Sequence, residues 1–142
     1  MKKAVLIIIA TVFVILLFGS PYIIDNVAAA RYKNQITDSI NEISNITVVA
    51  SECGLGNVGG TGNHTDMWVC VLIKTDMSEE RLTELVVGEI KISKVDSSEY
   101  KTDSMTVLGV EFDEVEFDSN TSYYIAEFIE RAPCSDFDLR GH

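Results

Sequence analysis

The first residues of the chain are almost entirely apolar, and this stretch constrains the rest more than any other feature. From Ala4 to Ile24 there is no charged residue, and only Met1, Lys2 and Lys3 come before it. A helix rises about 1.5 Å per residue, so the stretch would be about 30 Å long, which matches the hydrocarbon core of a bilayer. The sequence therefore predicts a membrane-spanning segment over residues 4–24.

Two interpretations of this segment both place the remaining chain outside the cytoplasm. A cleaved signal peptide would use Lys2 and Lys3 as its basic start and Ala28, Ala29 and Ala30 as its cleavage region. The apolar run is longer than that of most signal peptides, so we favour an uncleaved single-pass anchor in the cell membrane. The basic start predicts a cytoplasmic N-terminus. Cleavage would instead make the protein secreted.

The helix is expected to continue beyond the membrane. Over residues 25–45, apolar side chains recur in steps of three and four, at Ala29, Tyr32, Ile36, Ile40 and Ile43. We favour packing of this stripe on the domain's own sheet over pairing with a second copy, because about two turns of clean stripe are too few for a coiled coil. Residues 25–45 are thus predicted to form a juxtamembrane amphipathic helix.

Residues 46–132 have the pattern of one small extracytoplasmic domain. Strands are predicted at 46–53, 67–74 and 104–112. Residues 123–131 fit a strand or a short helix, and we favour the strand because of their aromatic and β-branched content. Ser78 is a typical N-cap for a helix running to about Ile90. Residues 92–103 are expected to form a loop, with a short irregular strand within it as the alternative. The order indicates an α+β fold, in which the N-terminal transmembrane helix continues into an α-β-β-α-β-β domain with one antiparallel sheet of about four strands. Residues 133–142 are expected to be a flexible tail.

The predicted external part is strongly acidic. From Arg31 onward there are nine Lys and Arg against twenty-one Asp and Glu. This charge repels nucleic acid, and we expect no nucleic-acid partner. It suits solubility first, and also cations or a basic protein partner. The densest acidic run is Glu111, Asp113, Glu114, Glu116 and Asp118, whose alternation with apolar residues is typical of the solvated face of a strand.

Two of the three cysteines flank a glycine-rich connection. Outside the cytoplasm, Cys53 and Cys70 could form a disulfide if the register of the two predicted strands pairs them. Closing such a loop would contribute roughly 3 kcal/mol. Cys134 is then a free thiol, an intermolecular bridge, or the true partner of one of the other two.

The glycine-rich connection also fits a nucleotide-binding pattern. Gly54, Gly56 and Gly59 match G-x-G-x-x-G, but a dinucleotide site needs these glycines to open a helix, and here a strand follows. The pattern therefore predicts loop flexibility, and no cofactor is expected.

The sequence contains no motif that assigns an activity. We expect a membrane-anchored, non-catalytic domain that binds another protein or contributes to an envelope assembly. The alternative is a small secreted or tethered metal-binding protein or hydrolase that uses His64 and nearby carboxylates, such as Asp66 and the acidic run.

Overall fold

A long helix leads from the apolar segment into the folded domain. The protein was examined as a computed structural model, which describes residues 2–58, 64–86, 88, 90–96, 104–107, 110–113, 115–138 and 140. Helix α1 (Lys2–Asn41) continues through Pro21 without interruption. Large apolar side chains are exposed along its first half; Phe13, for example, is 64% exposed. Among the described residues, this is the one helix long and apolar enough to cross a membrane.

The domain is built on a four-stranded antiparallel sheet. After α1 the elements are β1 (Thr47–Gly56), β2 (Asp66–Thr75), α2 (Glu79–Leu85), β3 (Ile90–Lys94), β4 (Ser104–Val107), β5 (Val110–Asp113) and β6 (Ser122–Arg131). The sheet has the order β1-β2-β6-β3, and β4 pairs with β5 in a separate two-stranded sheet. The predicted α+β fold with an antiparallel sheet of four strands is confirmed.

The sheet is covered on both faces, and α1 forms part of the core. On one face Val69, Val71 and Ile73 of β2 pack with Ile40 of α1 and Leu82 of α2. The rest of the predicted helical stripe also packs here, with Tyr32, Ile36 and Ile43 against this cluster and Ala29 against Met67 and Ala132. The stripe therefore packs on the domain's own sheet, as expected. Each buried aliphatic side chain contributes on the order of 1.5–3 kcal/mol, so residues 25–41 belong to the domain.

The other face of the sheet is covered by the chain around β5. Cys70, Leu72, Tyr123 and Ile125 pack there with Phe112, which is 2% exposed. Phe117 lies edge-on to Tyr123, with ring centroids 4.9 Å apart. The strands β2 and β6 are thus buried on both faces, which explains their nearly continuous apolar sequences.

The second helix begins where expected but ends early. The Ser78 hydroxyl accepts a hydrogen bond from the Arg81 N–H, as predicted for an N-cap. The prediction that the helix reaches Ile90 is wrong, because it ends at Leu85 and Val86 is already extended. Gly88 has φ +134°, a conformation that L side chains rarely adopt, and it turns the chain into β3. Ile90 is therefore paired with Phe128 in the sheet.

The middle of the chain differs from the prediction. The expected strand over 104–112 is wrong, because β4 and β5 form a short hairpin of their own. Consequently β6 does not pair with this segment; it lies between β2 and β3. A strand that is apolar on both faces belongs in the centre of a sheet, and this preference decides the topology. Of the loop predicted over 92–103, residues 97–103 lie outside the described residues, and residues 92–94 belong to β3.

Gly54 and Gly56, the first two glycines of the predicted connection, lie in β1. Residues 59–63 of that connection are outside the described part of the chain. Gly54 pairs with Trp68 across the strands, and the Trp68 ring lies over it. An ideal Cβ built on Gly54 would be 2.2 Å from a ring carbon of Trp68, whereas one built on Gly56 meets nothing within 4 Å. Gly54 is therefore required for close packing against Trp68. Our expectation that this residue provides loop flexibility is wrong.

We predict that Gly54→Ala destabilises the domain by about 1–3 kcal/mol, because the Trp68 ring must move to admit the new methyl group. Gly56→Ala is the matched control and should leave the free energy of unfolding nearly unchanged. Urea unfolding followed by Trp68 fluorescence measures both. Equal stability of the two variants would show that the position of the Trp68 ring does not require glycine at position 54.

Candidate functional site at the end of the apolar helix

A buried carboxyl group lies directly after the apolar segment. Asp25 is the first charged residue after Lys3, and its side chain is fully buried. Its Oδ1 accepts a hydrogen bond of 2.8 Å from the Cys134 N–H, across 109 residues of sequence. The tail of the chain is thus bound to α1 at the point where the apolar segment ends.

The tail brings a second carboxyl group and an arginine to the same place. Asp138 is 3% exposed, and the Nε of Arg140 donates to its two oxygens at 2.8 and 2.9 Å. The Arg140 guanidinium also stacks over the Tyr22 ring at 4.0 Å and donates to the Tyr22 carbonyl at 3.3 Å. Residues on both sides of the apolar boundary are therefore joined through the tail.

Asp25 and Asp138 form a carboxyl pair whose pKa values are shifted in opposite directions. The Oδ2 of Asp25 is buried without a hydrogen-bond donor among the described residues, and the neighbouring polar group is the Asp138 carboxyl. Burial, followed by this neighbour, raises the pKa of Asp25. Hydrogen bonds from Arg140 lower the pKa of Asp138. Of the two carboxyls, Asp25 is therefore the one that holds a proton more readily, and its Oδ2–H could then donate to the Asp138 carboxylate.

The same tail is hydrogen-bonded to the start of β2. The N–H of the buried Thr65 donates to the Ser135 hydroxyl at 2.9 Å, and the Thr65 hydroxyl donates to the Asp138 carbonyl at 3.1 Å. The Ala132 N–H donates to the Thr65 carbonyl at 3.0 Å. The expectation of a flexible tail is therefore wrong for residues 133–138, because these bonds satisfy buried polar groups that an unbound tail would leave to water.

An open groove lies beside this cluster. It has a volume of about 540 Å³ and runs between α1 and the sheet, with Ile23, Ile24 and Val27 on its apolar side. Arg31, Glu130 and Pro133 also line it. The groove thus begins at the end of the predicted membrane segment and continues onto the domain.

The alternative site at His64 contains one carboxylate. The His64 Nε2 lies 3.3 Å from Oδ1 of Asp66, and the Val58 N–H donates to the other oxygen at 3.3 Å. Asp66 therefore ties together the two ends of the glycine-rich connection. The described residues include no group of three or more His, Cys, Asp or Glu that could hold a metal ion.

Asp118, the last residue of the acidic run, lies away from His64. Asp118 is used in a turn, where its oxygens accept from the Asn120 N–H at 3.0 Å and from Lys74 at 3.4 Å. These two contacts lower the pKa of Asp118. Glu116 is exposed, and Glu114 lies outside the described residues. Asp118 thus has a structural role at the end of the sheet opposite to Asp66.

The expected disulfide between Cys53 and Cys70 is not formed. Cys53 is opposite Val69 and Cys70 is opposite Glu52, so the two cysteines are offset by one position. This offset directs their side chains to opposite faces of the sheet. All three cysteines are free thiols. Burial, with a smaller effect of Glu127, raises the pKa of Cys70 to about 11.

Sequence reasoning missed the pairing of Asp25 with Asp138. A lone aspartate at the end of an apolar run is a visible signal, since a charge in that position is costly unless it is paired or protonated. The second signal is the sequence Asp138-Leu-Arg140, in which the charges of a local ion pair lie two residues apart. What the sequence could not supply is their proximity, which depends on the fold of the whole domain.

We predict that two substitutions of Asp25 differ in their effect on the docking of the tail. Asp25→Asn retains the acceptor for the Cys134 N–H and offers an N–H donor to Asp138, so protection of the Cys134 amide from hydrogen exchange should be nearly unchanged. Asp25→Ala removes both, and the local free energy of opening should fall by about 1–3 kcal/mol. Exchange measured by NMR distinguishes the two, and equal protection would contradict the assigned role.

Protection of the Cys134 amide should also depend on the protonation of Asp25 and Asp138. Because the pKa of Asp25 is raised in the folded state, the group contributes to stability when it is protonated. This contribution is lost as the pH rises through that pKa. The contribution of Asp138 has the opposite sign, since its pKa is lowered, and is lost as the pH falls. In Asp25→Asn, the protection factor of the Cys134 amide should no longer decrease as the pH rises.

We predict that Cys70 resists alkylation by iodoacetamide at pH 8 in the folded protein, because its thiol is buried and stays protonated. The half-buried Cys53 and Cys134 should be modified first. Peptide mapping after denaturation should recover Cys70 unmodified, and Cys70→Ser is the control for the assignment. A Cys53–Cys70 peptide under non-reducing conditions would overturn the assigned register.

Comparison of the chain with protein-family models, with curated proteins and with solved structures found no match. The function is therefore argued from the geometry of the chain itself.

Proposed function

We propose that the protein is a single-pass, membrane-anchored protein whose α+β domain lies outside the cytoplasm and acts as a non-catalytic protein-binding or envelope-assembly domain. The observation that carries this proposal is the continuity of α1. One helix presents exposed apolar side chains over its first half and is buried in the domain's core over its second half. Such a helix holds the domain rigidly at a membrane surface.

The basic start of the chain supports the proposed orientation. Lys2 and Lys3 precede the apolar segment, and a positively charged flank favours the cytoplasmic side. The acidic domain then lies on the outer side, where its negative charge favours solubility. If the segment is cleaved, the same domain is released as a secreted protein.

The charge at the end of the domain away from the apolar segment supports a basic protein as partner. The ends of β2 and β3 and the segment before β6 meet there. The exposed acidic residues in the described part of this region are Glu42, Asp76, Glu79, Glu80, Glu84, Asp96, Glu116 and Asp118. Among the described residues of the same region, the basic side chains are Lys74, Arg81 and Lys94. This excess of carboxylates suits association with a positively charged surface, which long-range attraction accelerates.

We predict that the full-length protein remains in the membrane fraction after alkaline carbonate extraction, whereas a variant without residues 1–24 is released into the soluble fraction. Sequencing the N-terminus of the recovered protein distinguishes an anchor from a cleaved segment. A reporter fused after His142 should be active outside the cytoplasm. Soluble cytosolic protein that retains its first residues would contradict the anchoring proposal.

The partner is sought by cross-linking in intact membranes followed by mass spectrometry. Asp76→Lys with Glu116→Lys should reduce the yield of the cross-linked partner, because the two changes reverse charge at exposed positions on the acidic end. Glu52→Lys with Glu130→Lys applies the same change of charge nearer the apolar segment and should retain the partner. Equal losses in both variants would assign the effect to net charge alone.

A further inference from the structure

We propose that the edge of the domain next to the apolar segment rests in the lipid headgroup layer, with Phe137 inserted among the lipids. This edge consists of the end of α1 around Asp25, the turn over residues 133–138 and the groove beside them. The inference rests on the membrane anchoring proposed above. Its partner is the bilayer that the apolar segment crosses.

The length of helix between the apolar segment and the domain supports this position. The tail contacts α1 at Tyr22, whose carbonyl and ring bind Arg140, and again at Asp25, one residue after Ile24. Ala29, which packs on Met67 and Ala132, lies about 7.5 Å beyond Ile24 along the helix. The headgroup region is roughly 5–7.5 Å thick on each side of the hydrocarbon core. The lower edge of the domain therefore has no spacer that would lift it clear of the headgroups.

Phe137 occupies the tail turn at this same level. Its ring is 74% exposed, which makes it the most exposed large apolar side chain of the described residues. The turn is held in place on both sides, since the Cys134 N–H bonds to Asp25 and Arg140 bonds to the Tyr22 carbonyl. A rigidly held, exposed aromatic ring next to an apolar segment is typical of a membrane interface.

The stacked pair of Tyr22 and Arg140 has the same character. Tyrosine is enriched at the boundary between hydrocarbon and headgroups, and arginine can keep its charge in the headgroup layer while its aliphatic part contacts apolar groups. Here the guanidinium lies over the Tyr22 ring at 4.0 Å and is paired with Asp138. This pairing neutralises the Asp138 carboxylate, which would otherwise oppose contact with lipid.

The groove continues this surface upward from the bilayer. Ile23, Ile24 and Val27 form its apolar side, and all three are exposed; Ile23, for example, is 64% exposed. Arg31 lies at the same groove, about two helical turns above Ile24. Apolar side chains below and a guanidinium above match the order of acyl chain and phosphate in a phospholipid.

The experiment places a tryptophan at position 137 of the full-length protein. Phe137→Trp is combined with Trp68→Phe, which removes the one native tryptophan while keeping an aromatic ring over Gly54. The protein is reconstituted in phosphatidylcholine vesicles whose acyl chains carry bromine either near the headgroup or near the bilayer centre. We expect blue-shifted emission, strong quenching by the shallow bromines and weak quenching by aqueous iodide.

The matched control is Ser119→Trp in the same Trp68→Phe background. Ser119 is exposed in the turn before β6, about 30 Å from the tail along that strand. Its fluorescence should be quenched by iodide and unaffected by bromine. If Trp68→Phe destabilises the domain, the signal of the introduced tryptophan is taken as the difference between Phe137→Trp and the parent protein, with Trp68 retained in both.

The outcomes separate this inference from the anchoring proposal. Protein that floats with the vesicles while the introduced tryptophan is quenched by iodide and unaffected by bromine overturns the inference and leaves the anchor intact. Protection of that tryptophan from both quenchers assigns Phe137 to a protein contact and also overturns the inference. Protein that does not float with vesicles contradicts the anchor itself.

Discussion

The structure depends on one helix that is shared between two environments. Helix α1 exposes apolar side chains up to Val27 and buries Ala29 and Ile40 in the domain. Because the hydrophobic effect acts on both halves, removal of the first half from water would be favourable, just as packing of the second half on the sheet is. The helix is continuous through both halves. The positions of the packed residues around its axis therefore set the orientation of the sheet relative to the apolar segment. The domain is consequently an extension of the segment, and residues 25–41 cannot serve as a flexible linker.

Asp25 marks the transition between these environments. A charged carboxylate in this buried position would be costly, and two neighbouring carboxylates would repel each other. A proton on Asp25 would resolve both problems, because Asp25 would then donate to Asp138 while Arg140 compensates the remaining charge. An apolar residue at position 25 could fill the same space but could not bind the Cys134 N–H. The carboxyl group therefore specifies where the tail docks, which a purely apolar contact would leave less defined.

Local signals predicted much of the fold, whereas long-range contacts accounted for the differences. The strands β1, β2 and β6, the Ser78 cap and the apolar stripe of α1 follow from periodicity and capping within a few residues of sequence. The prediction of a Cys53–Cys70 disulfide was wrong because a register offset by one residue places the two side chains on opposite faces of the sheet. Composition does not define this register. The tail failed for a related reason, since its partners Asp25 and Thr65 are 109 and 70 residues away. Strand β3 was obscured because its alternation is short and polar.

The direction of the chain explains why the glycine-rich connection and the tail share one end of the domain. Helix α1 runs in the same direction as β2, because Ala29 lies near Met67 at the start of that strand and the Asn45 carbonyl accepts a bond of 2.7 Å from Thr75 at its end. β1 and β6 are antiparallel to β2, so β1 ends and β6 ends beside its start. Both segments therefore lie on the side where the apolar segment emerges. The opposite end, with α2 and the Asp118 turn, is farthest from any bilayer that contains the segment. The fold thus divides its surface by chemistry, with apolar and arginine side chains near the apolar segment and an excess of exposed carboxylates at the opposite end.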